Sequence, residues 1–217
     1  MSQEFTPALG HAALTPLYDA AIALLTREGR WRRALVDQIA PSATDRILDV
    51  GCGTGSLVLL LKRRAPDSLV VGLDPDADVL ERARRKTERL GVDVTFRQGF
   101  ARDAGGALPM GATKAVSSLV FHQVPLEEKR AGLAAMHACL MTGGEVHIAD
   151  YGLQRTALMR TLFKQVQRLD GVENTAPNAR GILPELMGKA GFVDIKERSV
   201  IPTPTGSISL YHGRKPG

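Results

Sequence analysis

The sequence predicts an α/β fold in which a doubly wound, mostly parallel sheet ends in an antiparallel hairpin. Between residues 45 and 191, short apolar runs typical of strands alternate with stretches of helical spacing, a pattern characteristic of a parallel sheet with helices on both faces. The last two strand-like runs, 193–201 and 207–211, are joined by only five residues, which is too short for a parallel crossover. These two strands therefore pair antiparallel.

Glycine and proline mark the breaks between the predicted elements. Pro41 follows the N-terminal helices, Pro66 follows the helix after the first strand, and Gly91 ends the next helix. The strands are expected at 45–50, 69–73, 93–98, 115–121, 145–149, 193–201 and 207–211, and the helices at 14–27, 31–39, 56–64, 76–91, 126–140 and 183–189.

A further segment, residues 155–180, is not required by this alternation. It carries an apolar stripe at helical spacing, made of Leu158, Met159, Leu162, Phe163, Val166 and Leu169. Such a stripe is usually core packing, but an extra helix at the edge where the strands of an α/β sheet end is also a common lid. We therefore expect a helical insertion at about 153–182.

Composition indicates an ordinary globular chain in a reduced compartment. Of the 217 residues, 44% are hydrophobic and 24% are charged, and no apolar run approaches the roughly 20 residues that span a bilayer. The N-terminus lacks the layout of a secretion signal, which predicts a cytoplasmic protein without membrane insertion. Two cysteines, Cys52 and Cys139, are too few and too isolated for a disulfide framework or a metal cluster, so no metal is expected.

The net charge of +5 is concentrated in one predicted helix. A nucleic-acid footprint and a solvated helix face both fit such a run. The chain is only 5% aromatic and the run has no interleaved aromatic residues, which favours the solvated face and makes nucleic acid an unexpected partner. The basic residues are Arg82, Arg84, Arg85, Lys86 and Arg89.

The stretch ILDVGCGTGSL, residues 47–57, predicts a ligand that approaches the backbone closely. Gly51, Gly53 and Gly55 follow the first strand, as in loops that bind nucleoside triphosphates, dinucleotides or S-adenosylmethionine. A triphosphate loop requires GxxxxGK[ST], and no lysine is near Ser56. A dinucleotide loop prefers glycine or alanine where Ser56 stands.

Two carboxylates distinguish the remaining ligands only in part. Asp49 lies at the mouth of the first strand, where it would repel a pyrophosphate but attract the ammonium and sulfonium groups of S-adenosylmethionine. Asp74, at the end of the second strand, is placed to accept the hydroxyls of a ribose, which both ligands carry.

Four motifs resemble one family. RILDVGCGTG, VVGLDPDADVLERAR, SSLVFHQVP and TGGEVHIADYG are similar to the core of class I S-adenosylmethionine-dependent methyltransferases, with the closest likeness to small-molecule enzymes of ubiquinone and menaquinone biosynthesis. The resemblance extends over about 43–211 and implies a Rossmann-like seven-stranded sheet with an antiparallel last strand. It also implies that residues 1–42 cap the cofactor site of a core domain at 43–217.

Cofactor contacts follow from the resemblance by matching position. Gly51, Gly53 and Gly55 would line the methionine part of S-adenosylmethionine and Asp74 would hold the ribose. The full expected set is Tyr18, Asp49, Gly51, Cys52, Gly53, Gly55, Asp74, Pro75, Gly99, Phe100, Ala101, Ser118 and Leu119. The sequence departs from the family at Gly99-Phe100-Ala101, where an acidic turn is usual; there Phe100 could stack on the adenine and Asp103 could replace the carboxylate.

The expected chemistry is methyl transfer to a small-molecule acceptor by in-line displacement. Orientation and exclusion of water are its main requirements, and a base is needed only for a protonated nucleophile. His122 is the candidate base, Asp150 and Tyr151 are candidate acceptor contacts, and His147 is expected to point into packing. A methyltransferase of RNA or protein, a nicotinamide-dependent oxidoreductase and a non-catalytic scaffold remain alternatives. The sequence indicates neither the acceptor nor the oligomeric state.

Overall fold

A computed structural model describes residues 28–217, so the helix expected at 14–27 and Tyr18 lie outside the described residues. The strands are β1 (Arg46–Val50), β2 (Leu69–Asp74), β3 (Thr95–Gln98), β4 (Ala112–Ser118), β5 (Leu140–Tyr151), β6 (Val193–Thr203) and β7 (Gly206–Arg214). The helices are α1 (Glu28–Ile39), α2 (Ser56–Arg64), α3 (Ala77–Arg89), α4 (Ala104–Ala107), α5 (Leu126–Cys139), α6 (Ala157–Asp170), α7 (Val172–Ala179) and α8 (Leu183–Lys189).

The strands form one seven-stranded sheet in the order β3-β2-β1-β4-β5-β7-β6. Strands β1 to β5 pair in parallel, whereas β7 is antiparallel to both β5 and β6. The predicted mostly parallel, doubly wound sheet with a C-terminal antiparallel hairpin is therefore confirmed. Because the sequence order of the strands reverses between β1 and β4, a crevice for ligands is expected at the carboxyl ends of these strands.

Local chemistry explains where the helices around this crevice begin. Asp76 caps α3 by accepting hydrogen bonds from the amides of Asp78 and Val79, as its position in the sequence predicts. Gly55, the residue immediately before helix α2, has a left-handed backbone. Within α2, Leu57, Val58, Leu59 and Leu61 are buried. The apolar helix is thus enclosed by the core, and the glycine loop is fixed to its N-terminus.

Three local predictions were wrong. Strand β4 ends at Ser118 instead of residue 121, because Leu119 has a positive φ of 57° and turns the chain away from the sheet. Strand β5 begins at Leu140, since pairing with β4 extends across a register shift between Ala112 and Lys114. Residues Gly105-Gly106, expected in a loop, lie in α4, whose ends Ala104 and Ala107 are buried.

The segment expected as an insertion forms α6 and α7. Phe163 and Val166 of the predicted stripe are buried, but Leu158 and Leu169 are 67% and 66% exposed. The stripe therefore packs along only part of its length. Among the described helices, none is both long and apolar enough to cross a membrane.

Candidate active site

The described residues of the predicted site meet at one edge of the sheet. The carboxyl ends of parallel strands share an edge, and these residues lie at the ends of β1 to β5 or in the loops that follow. They are Asp49, Gly51, Cys52, Gly53 and Gly55 at β1, Asp74 and Pro75 at β2, Gly99, Phe100 and Ala101 after β3, Ser118, Leu119 and His122 at β4, and Asp150 and Tyr151 at β5.

The glycine loop has a backbone that side chains resist. Gly51, Gly53 and Gly55 have φ angles of 72°, 53° and 73°. A Cβ on Gly51 would lie 2.1 Å from Cγ2 of Val120, whereas a Cβ on Gly53 would meet no atom of the described residues within 4 Å. Gly51 is thus packed against the protein, and Gly53 leaves open space beside its backbone.

Asp74 holds this loop against the end of β2. Its Oδ2 accepts a hydrogen bond from the Gly53 amide at 2.9 Å, and its Oδ1 accepts one from the Asp76 amide at 3.0 Å. Burial raises the pKa of Asp74 although both amides oppose the rise. Each carboxylate oxygen keeps a further lone pair, so Asp74 can position the loop and still accept a hydrogen bond from a ligand.

Asp49 is a buried carboxylate without a hydrogen-bond partner. It is 0% exposed, and neither of its oxygens is bonded within residues 28–217. Burial raises its pKa to about 7, Arg32 of α1 opposes this rise, and Asp74 adds to it. A buried unpaired carboxylate is costly unless a cation completes it, so this position fits a positively charged ligand group.

The turn after β3 is already occupied by internal contacts. The Gly99 amide donates to the carbonyl of Asp74 at 3.1 Å, and the Phe100 amide donates to Oδ2 of Asp103 at 2.8 Å. The Arg102 guanidinium lies 4.4 Å from the centre of the Phe100 ring. Asp103 therefore braces the turn, and the Phe100 ring carries a cation on one face.

His122 lies between two carboxylates. Its Nδ1 is 2.8 Å from Oδ1 of Asp150 on β5, and its Nε2 is 3.4 Å from Oδ2 of Asp170 at the end of α6. Burial alone would lower the pKa of His122, but the two carboxylates outweigh it and raise the pKa to about 9. The imidazole is therefore a cation at neutral pH; its Nδ1 donates to Asp150, and its Nε2 forms a longer ion pair with Asp170.

Asp150 and Tyr151 are also engaged with the protein itself. Oδ2 of Asp150 accepts from the Phe121 amide at 2.7 Å, and Oδ1 accepts from the Tyr151 amide at 2.7 Å as well as facing His122. The Tyr151 hydroxyl lies 2.7 Å from Oγ1 of Thr205 in the β6–β7 turn. Both side chains are buried, and their contacts position His122 and the chain around it.

Comparison with known families shows which class of protein this edge of the sheet resembles. Residues 47–144 match the family model described as a methyltransferase domain. The match begins in β1, just before the glycine loop, and ends within β5. Over these residues the chain is similar to methyltransferase domains. The resemblance seen in its sequence motifs is confirmed.

Two curated relatives are named for demethylmenaquinone or for ubiquinone and menaquinone biosynthesis. A demethylmenaquinone methyltransferase of Thermus thermophilus is 37% identical over 142 residues, which are 64% of this chain and 62% of the relative. A ubiquinone/menaquinone biosynthesis C-methyltransferase UbiE of a Geobacter species is 26% identical over 94% of this chain and 93% of the relative. The matched stretch thus spans less than two thirds of the first of these relatives.

A solved structure supports the fold. The protein is similar to a putative O-methyltransferase from Nostoc punctiforme, with a TM-score of 0.70 at 17% identity, over 95% of this chain and 61% of the other. At this identity, the similarity establishes the arrangement of strands and helices alone.

Sequence reasoning missed several residues that shape the site. Lys129 is fully buried in α5 and donates to the carbonyls of Phe121, Val124 and Asn174. Burial lowers its pKa to about 8, against the attraction of Asp150. Lys129 lies in a charged stretch of sequence typical of a solvent-exposed helix face, so only the tertiary packing shows that its side chain is buried. Asp170 and Arg32 carried no motif signal either.

Gly51→Ala is expected to lower the free energy of unfolding more than Gly53→Ala does. Both substitutions place alanine in a left-handed backbone, which costs about 1–2 kcal/mol, but only the first also drives a methyl group into Val120. Urea denaturation of both variants measures the difference. The double substitution Gly51→Ala, Val120→Ala should recover part of the loss, and equal stabilities of the two single variants would contradict the contact.

Proposed function

We propose that this protein transfers a methyl group from S-adenosylmethionine to a small-molecule acceptor. The observation that carries the proposal is the buried carboxylate of Asp49 beside the glycine loop, which has no hydrogen-bond partner among residues 28–217. A dinucleotide would bring a pyrophosphate anion to this place, whereas S-adenosylmethionine brings an ammonium group and a sulfonium. Asp49 therefore favours S-adenosylmethionine over a nicotinamide cofactor.

The residues present fit this cofactor. Asp49 would accept the ammonium group, Asp74 would accept ribose hydroxyls with its remaining lone pairs, and the open side of Gly53 would face the methionine chain. When bound, S-adenosylmethionine supplies a methyl group on a positively charged sulfur. What the protein contributes is alignment of the acceptor with that methyl group and exclusion of water.

His122 keeps a place on the acceptor side, but with a different task from the one expected. With Asp150 on Nδ1 and Asp170 beside Nε2, this imidazolium has no free lone pair, so it would not remove a proton but would offer its positive charge to an acceptor oxygen. Because Asp170 belongs to α6, we propose that α6 and the helix that follows it, α7, form the lid. The contact between His122 and Asp170 would then join the lid to the sheet edge.

The relatives and the surface support a small acceptor. Both named relatives are quinone-pathway methyltransferases, which makes a reduced quinone ring the first acceptor to test. Three basic residues of α3 have partners within the chain: Lys86 donates to Ser56, Arg84 to the carbonyl of Phe96, and Arg85 to Glu81. This weakens the case for RNA. The cytoplasmic location stays a prediction.

Calorimetry is expected to show binding of S-adenosylmethionine and S-adenosylhomocysteine but not of NADH. Gly53→Ala should weaken this binding at least about tenfold, because its methyl group occupies the space assigned to the cofactor, where no atom of residues 28–217 lies. An exposed change, Ala43→Gly, in the turn before β1 is the matched control. Binding of NADH alone, or unchanged affinity in Gly53→Ala, would contradict the proposal.

Transfer of labelled methyl groups then identifies the acceptor class. The protein is incubated with methyl-labelled S-adenosylmethionine and, separately, a demethylated naphthoquinol, a metabolite extract, RNA and a protein extract. We expect label in the naphthoquinol or in a small molecule of the extract. Label only in RNA or protein would overturn the small-molecule proposal, and binding without any transfer would favour a scaffold.

A further inference from the structure

A cluster of metal-binding side chains lies away from the methyl-transfer site. Glu145 and His147 are two residues apart on β5 and therefore share one face of the sheet, and His147 is directly opposite His212 on β7. Asp150 lies three residues beyond His147, about 10 Å along the strand, at the end that faces the cofactor. The cluster is thus separate from the proposed cofactor site.

The three side chains converge on one point. Nε2 of His147 is 3.4 Å from Oε2 of Glu145, and Nε2 of His212 is 3.6 Å from Oε1 of the same residue. One donor atom from each of the three lies within 4.8 Å of the others. Donor atoms of a tetrahedral zinc site stand about 3.3 Å apart, so these separations need only side-chain adjustment.

We propose that Glu145, His147 and His212 bind one divalent transition-metal ion of the zinc type. Two imidazoles and one carboxylate form a ligand set that zinc accepts, and such a set leaves a fourth position for water. A cavity of about 390 Å³ opens beside the three residues and is also lined by Gln38 of α1. The cavity gives the fourth ligand room.

Gln38 supplies the outer contact that ligand histidines usually have. Its Nε2 donates to the carbonyl of Tyr211 at 2.9 Å and lies 3.3 Å from Nδ1 of His147. Its Oε1 is buried and has no hydrogen-bond partner among residues 28–217. With a metal at Nε2, the His147 proton would lie on Nδ1, which faces the side-chain amide of Gln38.

Zinc titration against a chromophoric chelator tests the site. We expect one equivalent of zinc per chain, and a cobalt-substituted sample with the absorption bands of a four-coordinate ion lacking thiolate ligands. His147→Gln and His212→Gln should each weaken zinc binding at least about tenfold, a loss typical of removing a metal contact. His137→Gln is the matched control, because His137 lies at the end of α5 against Phe192.

A measurement on the unaltered protein covers the case in which a variant fails to fold. In nitrogen-15 spectra of the imidazole rings, zinc is expected to shift the Nε2 signals of His147 and His212 and to leave those of His122 and His137 in place. The proposal is overturned if zinc does not compete with the chelator, if it shifts other histidines instead, or if folded His147→Gln and His212→Gln variants bind zinc like the original protein. None of these outcomes depends on methyl transfer.

Discussion

Asp49→Asn is expected to weaken S-adenosylmethionine binding strongly while making the cofactor-free protein more stable above neutral pH. The asparagine keeps the shape of the side chain but removes the negative charge assigned to the ammonium group. Loss of a charged hydrogen bond at a buried site typically costs about 2–3 kcal/mol, or about 30- to 150-fold in affinity.

The gain in stability follows from the pKa of Asp49. Burial raises this pKa to about 7 in the folded protein, from an ordinary value of 3.8. Because the pKa is higher in the folded protein, the neutral side chain contributes to stability. This contribution is fully present below pH 3.8 and is lost as pH rises through 7. Removing the charge should therefore stabilise the protein at pH 8, by on the order of 2 kcal/mol, and should have little effect at pH 4.

Thermal unfolding at the two pH values and calorimetry at pH 8 measure both effects. Asp67→Asn is the matched control, because Asp67 is exposed in the turn before β2 and the same chemical change there should alter neither quantity. If Asp49→Asn bound S-adenosylmethionine as tightly as the original protein, the cofactor would not contact Asp49. If the stability of Asp49→Asn at pH 8 equalled that of the original protein, the ionised Asp49 carboxylate would not destabilise the fold.

Asp150→Ala is expected to lower the free energy of unfolding by about 3–5 kcal/mol at pH 6. The substitution leaves the Phe121 amide without its acceptor and the His122 cation without its nearest carboxylate, and breaking a buried ion pair from one side has a cost of this size. Methyl transfer should fall as well, because the loop that carries His122 loses its attachment to β5.

The pH dependence separates the ion pair from simple loss of packing. The pKa of His122 is raised to about 9 from 6.5, so its contribution to stability is fully present below pH 6.5 and is lost as pH rises through 9. The difference between Asp150→Ala and the original protein should therefore shrink between these limits. In a His122→Gln background it should not vary with pH.

Asp170→Ala is the matched control for this experiment. It removes the second and more exposed carboxylate, which lies 3.4 Å from Nε2 of His122, so its effect on stability should be below about 1 kcal/mol. A loss as large as that of Asp150→Ala would mean that the lid contact, rather than the strand contact, holds His122. A pH-independent loss in Asp150→Ala would mean that His122 is not charged.

The sheet could be predicted because its determinants are local. Apolar runs of strand length, glycine and proline at the breaks, and the five-residue link before the last strand fix the elements and force the final hairpin. The capping residue Asp76 and the buried helix α2 follow from the same kind of short-range information. The glycine loop, Asp49 and Asp74 were predicted to form a site from the chemistry of the expected ligand, since strand order places both carboxylates at one edge of the sheet.

The environment of each side chain was decided only by residues distant in sequence. His122 is a cation because β5 brings Asp150 and α6 brings Asp170 to its two nitrogens, 28 and 48 positions away (150 − 122 and 170 − 122). His147, expected only to pack, meets His212 because β7 returns antiparallel beside β5. The sequence by itself determined the fold and the sheet edge at which we propose that the ligand binds. Burial and long-range pairing set the charge of the groups there, because both depend on which distant atoms replace water.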